Sequence, residues 1–389
     1  MKLNLAIIGS TGFLGRQALE VINKLKDKFN IFALSCEKNI DLLITQAKEY
    51  KPRYLQIYDF EAFKIFKKKN YYKNGKVVYG DDGLLEVVAH PEVEGVLFLA
   101  AKTKCLKALI LAIEKKKKIA LASKELIVAF GSPIFQLAKE KKNEIIPIDS
   151  ELVALQSLLS KYGSNNLKRI FLTASGGYFF AYKKNLDKIT AKEALKHPVW
   201  KMGKKITIDS ATLINKVFEI IEASYFFELP IEKINVLIHP QGIIHGLIEN
   251  YNGIIYGMLT KPDMKIFLSY ALFKMINKEY NLFDNEIKEF PLNLTLIKPN
   301  KKVFPALELI KYLEKNTSQP SVLVGADEIA VENFLKGNIK FTDIIKIIKK
   351  TLKAHKKILN PSLKELIQVE SWARYYANNL IKKMKKERK

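Results

Sequence analysis

The chain has 389 residues, 48% of them hydrophobic, which is enough for packed cores in two or three domains. No apolar run of about eighteen residues occurs, so the sequence predicts no membrane span. The formal net charge is +25, from 65 lysines and arginines against 40 aspartates and glutamates.

Two explanations fit this basic balance. Nucleic-acid binding is one. The other is a solvated, lysine-rich surface at helix ends, and it is favoured because the lysine runs at 115–118 and 382–389 lie beside helical segments and contain no interleaved aromatic residues. We therefore expect no nucleic-acid partner. The N-terminal sequence has neither a signal-peptide nor a transit-peptide pattern, and two cysteines suggest reduced thiols in a cytoplasmic protein.

Short apolar runs alternate with amphipathic stretches over residues 1 to 150. This alternation predicts an α/β fold whose N-terminal part is a doubly wound parallel sheet of the Rossmann type. The predicted strands are 3–8, 30–36, 53–59, 95–100, 119–122 and 144–148. Farther along, 169–175 and 236–240 are predicted strands, Pro291, Pro299 and Pro305 mark a linker, and the chain is predicted to be helical from about 306 onward.

A glycine-rich loop, Gly9-Ser10-Thr11-Gly12-Phe13-Leu14-Gly15, follows the first predicted strand and opens a helix. Glycines allow a tight turn and a close approach of the backbone to a pyrophosphate, and a helix N-terminus supplies N–H donors. The loop therefore predicts a dinucleotide site; the alternative is a turn that merely needs glycine.

The end of the second strand bears on which dinucleotide binds. An acid there suits the ribose hydroxyls of NAD, whereas a basic residue suits the 2′-phosphate of NADP. Both types occur, as Glu37 followed by Lys38 and Asn39. Lys38 and Asn39 favour NADP, and Glu37 works against that assignment.

Two carboxylates, Asp149 and Glu151, interrupt an apolar run after the last predicted strand. In an extended segment, side chains two residues apart point the same way, and two such anions suit Mg²⁺ or Mn²⁺. Asp, Ser and Glu also favour the first turn of a helix. From this triplet alone, the helix start is the favoured interpretation.

A second cluster lies between 197 and 223. A helix would present Asn215, Lys216 and Glu219 at neighbouring positions. Glu219 is then a candidate third metal carboxylate, and Asn215 and Lys216 are candidates for holding an anionic, hydroxylated substrate. The alternative is a Lys216–Glu219 pair on a solvated face.

Other polar residues near these loops are weaker candidates. Ser175 and Ser210 offer hydroxyls, although either is equally consistent with a cap or turn. The segment that contains His197 and Trp200 has the composition of a lid that closes over a ligand, although a lone histidine is usually structural.

These motifs occur together in the order of one known family. GSTGFLG, LASKE (121–125), DSE (149–151), LTASGG (172–177), HPVWKMG (197–203), TIDSATLINKVFEIIEA (207–223), VLIHPQGIIH (236–245) and KPDMK (261–265) closely resemble 1-deoxy-D-xylulose 5-phosphate reductoisomerase. The resemblance implies a homodimer that uses NADPH and one Mg²⁺, Mn²⁺ or Co²⁺ ion. Its reaction would be rearrangement and reduction of that phosphorylated sugar to 2-C-methyl-D-erythritol 4-phosphate.

The resemblance also implies roles for individual residues. Asp149, Glu151 and Glu219 would hold the metal. Lys124, Ser150, Ser175, Ser210, Asn215 and Lys216 would bind the substrate, with His197 and Trp200 on the lid. The cofactor would meet Gly9, Thr11, Gly12, Phe13, Leu14, Glu37, Lys38, Asn39, Ser123, Glu125 and Gly203. The implied domains are a cofactor domain (1–150), a catalytic α+β domain (151–275), a linker (276–305) and a helical domain (306–389).

The sequence departs from the family pattern at several positions. Ser123 stands where asparagine is usual, Glu37 replaces a glycine near the cofactor's 2′-phosphate, and Lys104 lies where glycines usually follow the fourth predicted strand. Asp327 likewise replaces an asparagine, and Gly242 a serine. Because all three predicted metal carboxylates survive, we expect an active enzyme with altered cofactor binding. A different NADP-dependent dehydrogenase on a similar fold is the competing hypothesis, and it needs no divalent ion.

Overall fold

The computed structural model describes residues 2–69, 71–100, 103–177, 186–196, 199–200, 202–278 and 292–387. The chain divides into two compact units. Unit 1 comprises Met1–Leu126, Ile134–Val153 and Asp263–Asp284, and unit 2 comprises Ile127–Pro133, Ala154–Pro262 and Asn285–Lys389. No helix among the described residues is both long enough and apolar enough to cross a bilayer.

Unit 1 is built on a parallel sheet. Its strands are β1 (Leu3–Ile8), β2 (Phe29–Cys36), β3 (Tyr54–Ile57), β4 (Lys76–Tyr79), β5 (Gly95–Phe98), β6 (Lys118–Leu121) and β7 (Ile145–Pro147). They are ordered β4-β3-β2-β1-β5-β6-β7, and every neighbouring pair is parallel. This arrangement confirms the predicted doubly wound sheet. The order reverses between β1 and β5, which is where such sheets bind ligands.

The first seven helices follow the strands in chain order. They are α1 (Phe13–Lys24), α2 (Ile40–Tyr50), α3 (Phe60–Lys69), α4 (Gly80–Ala89), α5 (Leu106–Glu114), α6 (Lys124–Glu140) and α7 (Ser150–Tyr162). The core of unit 1 joins β1 and β2 to α1 and to residues 268–275, far along the chain. The short strand β4 escaped prediction because two of its four residues, Lys76 and Tyr79, are exposed and leave little apolar signal.

Unit 2 contains a mixed sheet. The strands β8 (Leu167–Ala174), β9 (Ile234–Ile238), β10 (Ile244–Asn250) and β11 (Ile255–Leu259) are ordered β11-β10-β8-β9, and β8–β9 is the parallel pair. The sequence had predicted β8 and β9 but neither β10 nor β11. Gly246 and Gly257 weaken the strand pattern of those two segments. Packing explains the glycine at 257, because a Cβ there would lie 2.6 Å from Leu247 Cδ2.

Helices make up the rest of the fold. They are α8 (Ala191–Ala194), α9 (Lys204–Thr212), α10 (Ile214–Phe226), α11 (Met264–Met275), α12 (Gln319–Leu335), α13 (Asp343–Ala354) and α14 (Leu363–Glu387). The predicted helix after 306 is a 3₁₀ segment, Pro305–Tyr312. A capping box starts α14, since Glu365 N donates to Ser362 Oγ at 3.3 Å and Ser362 N donates to Glu365 Oε2 at 2.8 Å.

Within the predicted linker, 276–305, the structure describes residues 276–278 and 292–305. In its second part, Ile297 forms a bridge with Ile238 at the end of β9, with N–O distances of 2.8 and 2.9 Å. This stretch of the chain is therefore tied to the mixed sheet by backbone hydrogen bonds. The domain boundaries drawn from the sequence stay predictions.

Helices α12 and α14 approach each other closely at Gly325. A Cβ at this position would lie 2.5 Å from Glu370 O and 3.0 Å from Ala373 Cβ. No real side chain fits at those distances without a shift of one helix. The absence of a side chain at Gly325 therefore sets the separation of the two helices.

We expect Gly325→Ala to lower the free energy of unfolding by about 1–3 kcal/mol, because the clash with helix backbone outweighs the better helix propensity of alanine. Urea unfolding followed by circular dichroism measures the change. Ser371→Ala, at an exposed position of α14, is the control and should stay within about 0.5 kcal/mol of the unmodified chain. Equal stability of the two variants would contradict this account of the contact.

Candidate functional site

The glycine-rich loop lies between β1 and α1, as predicted. Gly9 has φ +89°, which favours glycine, and a Cβ on Gly15 would lie 2.2 Å from Gly9 O. Ser10 fixes the loop from below: its N–H donates to Ser35 O at 2.8 Å, and its Oγ donates to Gln46 Oε1 at 2.8 Å. Glycine is therefore required at Gly9 by conformation and at Gly15 by space.

A cavity of about 340 Å³ opens beside this loop. Among the predicted cofactor residues, Gly9, Thr11, Gly12 and Glu37 line it. The sequence had not predicted the rest of the lining as part of a cofactor site. It includes Ser35, Gln56, Tyr58, Leu84, Lys104 and Cys105. The sequence did contain one indication of these residues. Most of them lie at or after the ends of parallel strands, and the carboxyl ends of such strands meet at one edge of the sheet.

The remaining predicted cofactor residues of unit 1 have local roles. Phe13 and Leu14 form the start of α1, and Asn39 caps α2 by accepting from Leu42 N at 3.2 Å. Lys38 lies 3.3 Å from Asp59 and is 72% exposed. Burial, with a smaller contribution from Glu37, raises the pKa of the Cys36 thiol to about 12, so this thiol stays protonated at neutral pH.

The segment that starts α6 is deeply buried. Ser123, Lys124 and Glu125 are 0%, 6% and 7% exposed. The Oγ of Ser123 has no hydrogen-bond partner among the described residues. A buried hydroxyl of this kind is available to a ligand.

Asp149 is held through both of its carboxylate oxygens. Oδ2 accepts from Lys124 Nζ at 2.8 Å, while Oδ1 accepts from Glu151 N at 3.1 Å and Leu152 N at 3.3 Å. Ser150 Oγ donates to the Glu151 carboxylate. The favoured interpretation of this triplet as a helix start is therefore correct, and the extended alternative is wrong. The triplet starts helix α7, and Asp149 satisfies its first N–H groups, because these donors have no partner within the helix.

In unit 2, helix α10 begins with a buried cluster. Lys216 and Glu219 form an ion pair, and their side chains are 3% and 1% exposed. Asn215 Nδ2 donates to Glu219, and Lys216 Nζ donates to Thr173 O at the end of β8. The solvated-face alternative is wrong for this pair. The predicted helical spacing brings all three residues together, as expected.

A loop and a helix end of unit 2 meet beside this cluster. Ser175 follows β8, and its Oγ accepts from Gly177 N at 3.2 Å. A Cβ on Gly177 would lie 3.1 Å from Ala211 Cα and 3.4 Å from Ser210 O. The loop that carries Ser175 therefore packs directly on the end of α9 that carries Ser210.

The lid residues are described only in part. His197 lies outside the described residues, whereas the ring of Trp200 lies 6.2 Å from that of His245. Gly203 is exposed and forms the N-cap of α9. Sequence reasoning missed an anchor of this helix: Lys205 Nζ lies 2.6 Å from both Asp209 Oδ2 and Asp327 Oδ2. No local pattern reveals it, because Asp327 comes 122 residues after Lys205.

Sequence profiles of one family match most of the chain. Those described as 1-deoxy-D-xylulose 5-phosphate reductoisomerase and its C-terminal domain match residues 5–131 and 145–227, and the DXP reductoisomerase C-terminal domain matches 259–376. The chain belongs to the 1-deoxy-D-xylulose 5-phosphate reductoisomerase family. The matched ranges cover nearly all of the parallel sheet, strand β8 and most of the C-terminal helices, whereas β9, β10 and nearly all of β11 lie outside them.

Individual members of the reductoisomerase family align over nearly the whole chain. The enzyme of Endomicrobium trichonymphae is 40% identical over 97% of this chain and 98% of its own length, and that of a Sulfurihydrogenibium strain is 43% identical over 90% of each. A crystal structure of DOX-P reductoisomerase in complex with NADPH, fosmidomycin and magnesium has a TM-score of 0.90, with 29% identity over 98% of this chain and 99% of that one. The Zymomonas mobilis reductoisomerase in complex with NADPH has a TM-score of 0.88, with 30% identity over 98% of this chain and 99% of that one.

We expect Lys216→Met to destabilise the protein by about 3 kcal/mol, because it removes the ammonium that pairs with the buried Glu219 carboxylate. Chemical unfolding measures the loss. The double variant Lys216→Met with Glu219→Gln is the control, and it should recover at least half of the lost stability because no carboxylate then remains at position 219. A double variant less stable than Lys216→Met would show that the pair is not the cause.

Proposed function

We propose that this chain is an NADPH- and metal-dependent reductoisomerase. It converts 1-deoxy-D-xylulose 5-phosphate to 2-C-methyl-D-erythritol 4-phosphate in the non-mevalonate route to isoprenoids. The observation that carries the proposal is the cluster at the start of α10, in which Asn215 donates to Glu219 and the buried Lys216 and Glu219 form an ion pair. Charged groups are costly to bury, and such clusters concentrate at functional sites.

NADPH is the proposed cofactor, and it supplies hydride to the substrate. The loop of Gly9, Thr11 and Gly12 would take the pyrophosphate, with the N–H groups of Phe13 and Leu14 at the start of α1. Glu37, Lys38 and Asn39 would face the adenosine ribose. Ser123, Glu125 and Gly203 would complete the cofactor contacts, and the buried Oγ of Ser123 fits a ligand-directed role. The Zymomonas mobilis relative was crystallised with NADPH.

The proposed metal ligands are Asp149, Glu151 and Glu219. All three offer carboxylate oxygens, the donors that Mg²⁺ and Mn²⁺ prefer, and Co²⁺ also accepts them. Asp149 and Glu151 are already oriented by hydrogen bonds within their own helix turn, so the donor set fits a divalent cation. When bound, the cation would chelate the substrate's carbonyl and hydroxyl oxygens and polarise the carbonyl.

The remaining residues would hold the substrate. The Lys216 ammonium, the Asn215 amide and the hydroxyls of Ser175 and Ser210 supply donors for a phosphate and for sugar hydroxyls. These four belong to unit 2, where the loop of Ser175 packs on the end of α9 that carries Ser210.

Lys124, Ser150 and the two lid residues complete the proposed substrate site. The Lys124 ammonium pairs with Asp149 at 2.8 Å, and it would face the substrate's oxygens together with Ser150. His197 and Trp200 would cover the bound sugar. They would keep water from the reactive aldehyde that the rearrangement would form before its reduction.

Glu219→Gln should abolish turnover and leave NADPH affinity within about twofold, because it removes one metal carboxylate and no proposed cofactor contact. NADPH absorbance is followed with 1-deoxy-D-xylulose 5-phosphate and Mn²⁺, and titration calorimetry gives the affinity. Glu232→Gln, at an exposed position, is the matched control and should behave like the unmodified enzyme. Equal loss of turnover and of NADPH binding would contradict the assignment of Glu219.

Removal of divalent ions tests the metal independently. EDTA should stop NADPH consumption, and excess Mg²⁺ or Mn²⁺ should restore it. Consumption that continues in EDTA would reject the metal requirement and favour a metal-independent NADP-linked dehydrogenase. No consumption under any combination of metal and cofactor would reject the reductoisomerase proposal.

The enzyme is also proposed to be a homodimer. Strand β11 lies at the edge of the mixed sheet, and Ile254, Ile255 and Leu259 on or beside it are 47%, 54% and 40% exposed. Exposed apolar side chains on a sheet edge are a liability in a monomer and suit contact with a second copy.

Ile255→Glu should convert the dimer to a monomer, because a carboxylate would be buried in an apolar interface. Analytical ultracentrifugation measures the mass. Ile367→Glu is the control, since Ile367 is 43% exposed on α14, and this variant should remain dimeric. A dimer that survives Ile255→Glu would place the interface elsewhere.

A cytoplasmic location is proposed, with no membrane partner. Cys36 and Cys105 are both buried, and neither forms a disulfide within the part of the chain that the structure describes. Free thiols are typical of a reducing compartment. The proposed substrate and cofactor are small, charged metabolites, which fits the same compartment.

A further inference from the structure

The cavity of unit 1 lies over the reversal point of its sheet. Its lining follows β1 at Gly9, β2 at Glu37, β3 at Tyr58 and β5 at Lys104. In this topology the adenosine half of a dinucleotide lies over the β1–β2–β3 side. The cavity is therefore the place for the adenosine, given the cofactor of the proposed function.

The end of β2 carries more negative charge than a ribose phosphate favours. Glu37 lines the cavity, and Asp59 N donates to Glu37 O at 3.0 Å, so the segments after β2 and β3 run side by side. Lys38 is a cation at this place, but it already lies 3.3 Å from the Asp59 carboxylate. At the ends of β2 and β3, as far as the structure describes them, two carboxylates thus accompany the Lys38 ammonium where a 2′-phosphate would sit.

A second cation reaches this cavity from the β5–α5 connection. Lys104 Nζ lies 4.9 Å from the centre of the Tyr58 ring, and both side chains line the cavity together with Glu37. The ring is itself fixed, because Tyr58 OH donates to Asp81 Oδ1 at 2.7 Å. The aromatic face keeps the ammonium on the cavity wall without neutralising it.

We propose that Lys104, held on Tyr58 in the same cavity as Glu37, is a specificity residue that binds the 2′-phosphate of NADPH. It offsets the repulsion between that phosphate and Glu37. This role rests on the proposed function for its cofactor.

NADPH and NADH differ only in the 2′-phosphate, so their dissociation constants isolate its contribution. Lys104→Gln should weaken NADPH binding about tenfold, the size of one charge-assisted hydrogen bond, and leave NADH within about twofold. Lys104→Arg should retain most of the preference for NADPH. Lys107→Gln, exposed on α5 and one turn from Lys104, is the matched control and should change neither constant.

A second variant tests the opposing charge. Glu37→Gln should strengthen NADPH binding and leave NADH nearly unchanged, because it removes the repulsion of the 2′-phosphate. In the double variant with Lys104→Gln, the two effects should partly cancel. Calorimetric titration of the full-length protein with each dinucleotide gives all the constants, and circular dichroism checks folding.

Equal weakening of NADPH and NADH by Lys104→Gln would overturn the inference, since the lysine would then shape the cavity or meet the pyrophosphate. Unchanged affinity for both would overturn it as well. The proposed function can fail while this inference stands. A chain that prefers NADPH through Lys104 but does not consume NADPH with 1-deoxy-D-xylulose 5-phosphate would support the role of Lys104. The same result would reject the reductoisomerase reaction.

Discussion

The buried ion pair of Lys216 and Glu219 is the constraint around which unit 2 is organised. Both side chains are almost fully removed from solvent, and the ammonium also donates to Thr173 O at the end of β8. Desolvating two charges is unfavourable unless their remaining hydrogen-bonding capacity is used. The helix start and the strand end are thereby joined, next to the loop of Ser175, which packs on the end of α9 that carries Ser210.

Unit 1 uses a related device at Asp149. One carboxylate oxygen neutralises Lys124 and the other satisfies the first N–H groups of α7. A side chain held from two directions has little rotational freedom, so its oxygens are ready for a ligand before one arrives. The helix-capping and metal-binding interpretations of this triplet are therefore compatible. The capping interaction orients the carboxylate that the proposed metal site uses.

The cavity of unit 1 combines a fixed loop geometry with charged side chains. Gly9 and Gly15 keep the space that the loop needs, whereas Glu37 and Lys104 set the charge around it. Because these two side chains carry opposite charges and line the same cavity, the effect of either depends on the other. On the proposed role of Lys104, cofactor preference would depend on both side chains and not on the end of β2 alone.

Much of the fold could be predicted from local pattern. The glycine loop, the parallel strands with strong apolar runs, and the spacing of Asn215, Lys216 and Glu219 are properties of short segments, and periodicity reveals them. The sequence could not reveal β4, β10 or β11. Exposed residues weaken the apolar pattern of β4, and glycines weaken the strand pattern of β10 and β11. The sequence did favour a helix start at Asp149–Glu151, and the structure has one, because Asp, Ser and Glu all suit a first helical turn.

Tertiary structure alone decided which distant residues share a site. The pairing of Lys205 with Asp327, the burial of Lys216, and the meeting of Tyr58, Lys104 and Glu37 at one cavity depend on how separate segments pack. Local sequence determines whether a segment becomes a helix or a strand, because backbone propensity and periodicity act over a few residues. Which side chains then share a low-dielectric environment is a long-range outcome, since burial and charge pairing are settled only when those segments pack together.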